Sequence, residues 1–115
     1  MSLKLAEISH SNCIELKLSG TALTDTEFEE LSTRVNGLIE ADHSNLILNL
    51  DGIKLLNSLG IKALIRIFTR CRNHGGDLYI VNISDKINQV LLLTKLNTVL
   101  NIAPSVQVAV TSFNS

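Results

Sequence analysis

Residues 46–81 read LILNLDGIKLLNSLGIKALIRIFTRCRNHGGDLYIV, two apolar runs with a helical pattern between them. The first run, NLILNLD at 45–51, is short and bounded by polar residues, which suits a strand buried on both faces. DLYIVN at 77–82 has the same character. Between them the spacing predicts a helix from about Leu59 to Asn73. Ile61, Leu64, Ile65, Phe68 and Cys71 make its apolar stripe, and Lys62, Arg66, Thr69, Arg70 and Asn73 face away. HGG at 74–76 supplies a glycine stop. A strand–helix–strand unit requires parallel strands joined by a right-handed crossover, so the fold class is α/β. The polar pair Asn57-Ser58 precedes the helix. Either side chain can serve as its N-cap, a role that contributes about 1 kcal/mol.

Working outward, LKLAEI (3–8) and CIELKLSG (13–20) alternate apolar and polar residues as half-buried strands do, and SHSN (9–12) between them suggests a hairpin. A helix over Thr24–Asp42 follows. Thr24 and Glu27 have capping-box spacing, and Phe28, Leu31, Val35, Leu38 and Ile39 recur at helical intervals. Beyond residue 82, Ser84 can cap a helix over about 85–94, and SVQVAV (105–110) reads as a last strand. The order is β-β-α-β-α-β-α-β. It describes a mixed β-sheet, an N-terminal hairpin followed by parallel βαβ units, packed by about three to four helices. No linker or repeat divides the chain, so residues 1–115 are expected to form a single domain.

Composition narrows the function classes. With three Phe, one Tyr and no Trp, the core is aliphatic. A net charge of −1 argues against general nucleic-acid or membrane-surface binding, which need a basic excess. No apolar run approaches a membrane-spanning length, and no signal segment opens the chain, so a cytoplasmic protein without membrane insertion is expected. Cys13 and Cys71 have neither CxxC spacing nor a disulfide framework and read as buried thiols.

Enzyme signatures are thin, and an enzyme is not expected. His10, His43 and His74 fall in a turn or near helix ends with no metal-ligand spacing, and no phosphate-binding or nucleophile-elbow motif is present. No cofactor is expected. Asp51 ends a buried strand, where α/β ligands usually sit, but it has no partner acid or base and reads as a loop hydrogen-bonding group. Charge is more informative. Lys54, Lys62, Arg66, Arg70 and Arg72 lie between Ile53 and Gly76 with no acid among them, whereas the first helix carries Asp25, Glu27, Glu29, Glu30, Glu40 and Asp42 against Arg34 alone. These are two solvated faces of complementary charge, or a basic patch that orients an acidic partner. In INQVLLLTKL, Ile87, Val90, Leu91 and Leu96 can face the core. At least one of Leu92 and Leu93 is then left for a satellite contact, a partner or a weak homodimer. A phosphoryl group on Ser58 would sit at the positive end of the helix dipole, tolerated by the fold yet repelling an apolar or acidic partner.

The run from 46 to 81 resembles the core of a STAS domain, specifically the anti-sigma factor antagonist group. Asp51, Ser58, Gly60, the helix at 61–73, Gly75 or Gly76 and LYIV fall in register with that pattern, as do LKLSG ending at Gly20 and VLLLTKL. The resemblance implies partner switching. The unphosphorylated antagonist binds an anti-sigma factor that is also a serine kinase, phosphorylation of the loop serine releases it, and a metal-dependent serine/threonine phosphatase resets it. By position Ser58 is the acceptor. The implied partner surface is Thr21, Ala22, Asn57, Ser58, Leu59, Gly60, Lys62 and Arg66. The chain departs from the pattern at four places: Asn57 stands where Asp is usual, and Leu59 where a second hydroxyl is usual. Thr21-Ala22-Leu23 replaces Glu-Leu-Asp, and Lys95 sits where glycine is common. These departures keep a second expectation open, a constitutive STAS scaffold subunit of a signalling or transport complex. Nucleotide or small-anion binding at the helix start is a third.

Overall fold

The computed structural model describes residues 4–19, 25–54 and 56–113, with backbone alone for 25–27. The elements run β1 (Lys4–Ser9), β2 (Ile14–Ser19), α1 (Asp25–Glu40), β3 (Asn45–Gly52), α2 (Ser58–Asn73), β4 (Asp77–Val81), α3 (Asp85–Leu93), a 3-10 turn at Leu96–Thr98, β5 (Asn101–Ala103) and α4 (Val106–Phe113). The sheet order is β1-β2-β3-β4-β5. β1 is antiparallel to β2, and the remaining pairs are parallel. Because the parallel strands lie side by side in chain order, right-handed crossovers place α1, α2 and α3 on the same face. The mixed α/β sheet expected from the sequence is the one observed.

Register explains the core. Leu16, Leu48, Ile80 and Ile102 pair in one row across four strands, and Ile14, Leu46 and Leu78 in another. These rows pack against Phe28, Leu31, Val35, Leu38 and Ile39 of α1, Leu64, Ile67 and Phe68 of α2, and Ile87 and Leu91 of α3. The buried face of α2 lies slightly aside from the predicted stripe: Ala63 and Ile67 are buried, and Ile61 and Ile65 are only half-buried. The opposite face of the sheet is covered by α4, where Ala109, Val106, Val110 and Phe113 pack on Cys13, Ile47, Tyr79, Val81 and Ala103.

The C-terminal expectation was wrong. Residues 105–110 are not a strand: the last strand is Asn101–Ala103, and 106–113 form α4. Val106, Val108 and Val110 imitate strand alternation, but burial follows 106, 109, 110 and 113, the spacing of a helix face, and Val108 is exposed. The Ser105 hydroxyl accepts from the Val108 amide at 3.3 Å and caps the helix. The first helix is also shorter than predicted, ending at Glu40 rather than Asp42. Its expected capping pair falls on Thr24 and the Glu27 side chain, outside the described residues.

Other local readings hold. α2 ends in a double hydrogen bond, Gly76 N to Cys71 O at 2.9 Å and Gly75 N to Arg72 O at 3.2 Å, with Gly75 at φ 83°. Lys95, at the position where the family pattern has glycine, holds φ 61°, a left-handed backbone that glycine adopts without steric cost. Ser84 caps α3, accepting from the Ile87 amide at 3.2 Å.

Candidate functional site at the start of helix α2

The sequence left the N-cap of α2 open between Asn57 and Ser58, and the structure assigns it to Asn57. Its side-chain oxygen accepts from the Gly60 amide at 2.9 Å, and its backbone is extended, as a cap requires. Ser58 is therefore the first helical residue. It is exposed, and its hydroxyl has no hydrogen-bond partner among the described residues. Leu59 is 46% exposed, a large apolar side chain held against solvent beside the serine.

Gly60 is buried for a reason of space. A Cβ there would come within 2.7 Å of the Phe28 ring and 2.9 Å of a Leu56 methyl, so the first turn of α2 lies directly on α1. A groove of about 450 Å³ opens between the two helices, with Phe28, Glu29, Leu59, Lys62, Ala63 and Arg66 among its lining residues. Lys62 and Arg66 are exposed and form no ion pair among the described residues. Lys62 lies one turn after Ser58, at the i,i+4 spacing where side chains meet. The first turn of α2 holds no acidic residue. A negative group at Ser58 would thus face helix-terminal amides and a nearby ammonium rather than a like charge on its own helix.

The expected site residues divide cleanly. Asn57, Ser58, Leu59, Gly60, Lys62 and Arg66 are brought together at one end of α2. Thr21 and Ala22 lie outside the described residues. Arg72, counted with the basic stretch, is not part of this surface: it lies 5.3 Å above the Phe68 ring and 4.0 Å from Asp77. The Ile53 side chain is buried and its amide bonds the Leu50 carbonyl at 2.9 Å, which anchors the connection leading to Asn57.

A second polar cluster was not anticipated. On the α4 side of the sheet, Glu15 and Asn49 are buried at 4% and 5% exposure amid aliphatic strands. Glu15 is hydrogen-bonded to the His10 ring at 3.0 Å and accepts from Asn49 Nδ2 at 2.9 Å. Asn49 Oδ1 in turn accepts from Asn82 Nδ2 at 3.2 Å and from the Asp51 amide at 3.1 Å. The signal lay in Glu15 and Asn49, polar residues on otherwise apolar strands, but alternation alone does not say whether that face is covered. These groups are consumed by one another, so they hold the sheet rather than offer chemistry.

The remaining candidates are accounted for within the fold. The His74 ring is hydrogen-bonded to the Arg70 carbonyl at 2.8 Å, and no group of metal-ligating side chains occurs among the described residues. Cys71 is fully buried, and burial, then the Asp77 carboxylate, push its thiol up to about 12. Cys13 is raised by burial and by Glu15. Both thiols are thus poor nucleophiles at neutral pH. Leu92 and Leu93 are 51% and 84% exposed, so both point away from the core. Among the described residues no helix is long and apolar enough to cross a membrane.

Comparison with known proteins is consistent with this geometry. The STAS domain family model matches residues 6–109. No curated protein matches the sequence. Among solved structures, an anti-sigma factor antagonist from Mycobacterium paratuberculosis superposes with a TM-score of 0.85 at 18% identity, covering 99% of this chain and 96% of that one. The phosphorylated form of the Bacillus cell fate determinant SpoIIAA does so with a TM-score of 0.72 at 13% identity, covering 96% and 98%. The murine anion transporter Slc26a9 contains a similar region, with a TM-score of 0.68 at 16% identity over 98% of this chain and 22% of the transporter.

Proposed function

The chain belongs to the STAS domain family, and we propose that it acts as an anti-sigma factor antagonist switched by phosphorylation of Ser58. One observation carries this reading: Asn57 does the capping, so Ser58 stands exposed at the helix start with a hydroxyl that no described residue bonds. Unmodified, the protein binds an anti-sigma factor that is also a serine kinase, through Thr21, Ala22, Asn57, Ser58, Leu59, Gly60, Lys62 and Arg66. Leu59 supplies an apolar contact, and Lys62 and Arg66 orient acidic groups of the partner. The kinase transfers the γ-phosphoryl of ATP to Ser58 Oγ, with the hydroxyl proton passing to a base of the kinase and ADP leaving. The phosphoserine, carrying roughly −1.5 to −2 charges, expels the partner from the Leu59 surface while the helix dipole and Lys62 keep the domain folded. A metal-dependent serine/threonine phosphatase hydrolyses the ester, returning serine and inorganic phosphate. The protein itself is a regulatory binding module of transcription rather than an enzyme, and it works in the cytoplasm.

Structural likeness to SpoIIAA, a protein known in a phosphorylated form, supports the switch. A second reading is favoured by the likeness to a region of Slc26a9 and by Asn57 in place of the usual Asp: a constitutive scaffold subunit whose binding ignores Ser58. Affinity for an anti-sigma factor kinase separates the two. The switch predicts that Ser58→Ala binds like wild type, that Ser58→Asp loses at least tenfold (about 1.4 kcal/mol), and that kinase with ATP adds phosphate at Ser58 by mass spectrometry. Equal binding by both variants, with no phosphate on Ser58, would leave the scaffold.

A further inference from the structure

Among the described residues, the short turn between β4 and α3 holds both β3 itself and the connection that leads from it to α2. The Ser84 hydroxyl donates to the Lys54 carbonyl at 2.7 Å, across 30 residues of sequence, while accepting from the Ile87 amide. Two residues earlier, Asn82 Nδ2 donates to Asn49 Oδ1, the same atom that accepts the Asp51 amide at the end of β3. Asn82 reaches it from a left-handed backbone, φ 58°, which asparagine tolerates better than most residues.

We propose that Asn82 and Ser84 are positioning residues for the loop that presents Ser58, a brace that couples the start of α3 to the switch. The inference rests on the reading of Ser58 given above. A serine hydroxyl has one proton to donate and can accept as well, so Ser84 performs both tasks with the same atom. Loosening the start of α3 releases the Lys54 carbonyl, and with it the entry to Asn57. Conversely, whatever orders the loop orders the first turn of α3. Asn49, buried and held by Glu15, makes the second anchor rigid.

The two tasks of Ser84 can be separated. Ser84→Asp keeps an acceptor for the Ile87 amide, and aspartate caps as well as serine, but it has no proton for the Lys54 carbonyl. Ser84→Thr keeps both. Amide hydrogen exchange on the unmodified full chain is the readout. In Ser84→Asp the Ile53 and Gly60 amides should exchange about fivefold faster, the effect of losing one net hydrogen bond, with a smaller rise in the rest of the domain. Ser84→Thr should exchange like wild type. Asn82→Gly, which permits the positive φ but deletes the donor, should accelerate the Asp51 amide. Unchanged exchange over 51–60 in Ser84→Asp overturns the brace, as does acceleration spread equally over the whole domain. Phosphate incorporation at Ser58 is measured in parallel on the wild type. Its absence there defeats the phosphorylation reading alone, whereas unchanged exchange defeats the brace alone.

Discussion

Two consecutive helices, α2 and α3, start with a serine beside a second polar residue, and the two starts use that serine in opposite ways. At α3, Ser84 is the cap and also ties the chain to Lys54, so its oxygen is engaged as donor and acceptor. At α2 the neighbouring asparagine takes the cap and pushes the serine one position into the helix, where it is exposed and its hydroxyl bonds none of the described residues. The difference lies in a single residue of offset. A serine at the N-cap is structure, whereas a serine at the first helical position, with its neighbour doing the structural work, is available to another protein. The Asn57 that departs from the family pattern still provides the capping oxygen, without the negative charge of aspartate.

The comparison can be broken from either side. The largest expected effect is Gly60→Val, whose branched side chain meets the Phe28 ring and Leu56; overpacking should cost about 3 kcal/mol and lift the start of α2 off α1. Chemical denaturation reads it as a lower midpoint at unchanged slope. Next comes Ser84→Ala, which removes the cap of α3 and leaves the Lys54 carbonyl without its donor, costing about 2 kcal/mol. The pair Asn57→Ala and Ser58→Ala sharpens the contrast on α2 itself. The first should cost about 1 kcal/mol as a lost cap, and the second less than about 0.5 kcal/mol as a surface change. A Ser58→Ala variant that loses more stability than Asn57→Ala would mean that the serine, not the asparagine, holds the helix start.

Most of this architecture was legible because β3, α2 and β4 combine length, periodicity and stop signals that agree. The C-terminal segment was not. Three valines at alternate positions outweighed the helical spacing, since Ala109, the most buried residue of α4, carries little hydrophobic signal. The three residues of β5 are too few to show any period. At the site, the order of elements picked out Ser58, but it could not decide between two adjacent capping residues, because asparagine and serine are preferred at the N-cap almost equally. The hydrogen bond from Ser84 to Lys54 was out of reach. It depends on how two loops meet at the carboxyl ends of neighbouring strands, which no local pattern encodes.

The central claim is that Ser58 bears no structural duty, so that its modification changes binding and not folding. Thermal melting of the protein carrying phosphoserine at position 58 tests this most directly, beside the unmodified chain at neutral pH. With the phosphate on helix-terminal amides and near Lys62, the midpoint should stay within about 2 °C of the unmodified protein or rise slightly, since the dipole contributes about 0.3–1 kcal/mol in its favour. A fall of more than about 5 °C, equivalent to roughly 1 kcal/mol in a domain of this size, would contradict the claim and make Ser58 part of the fold.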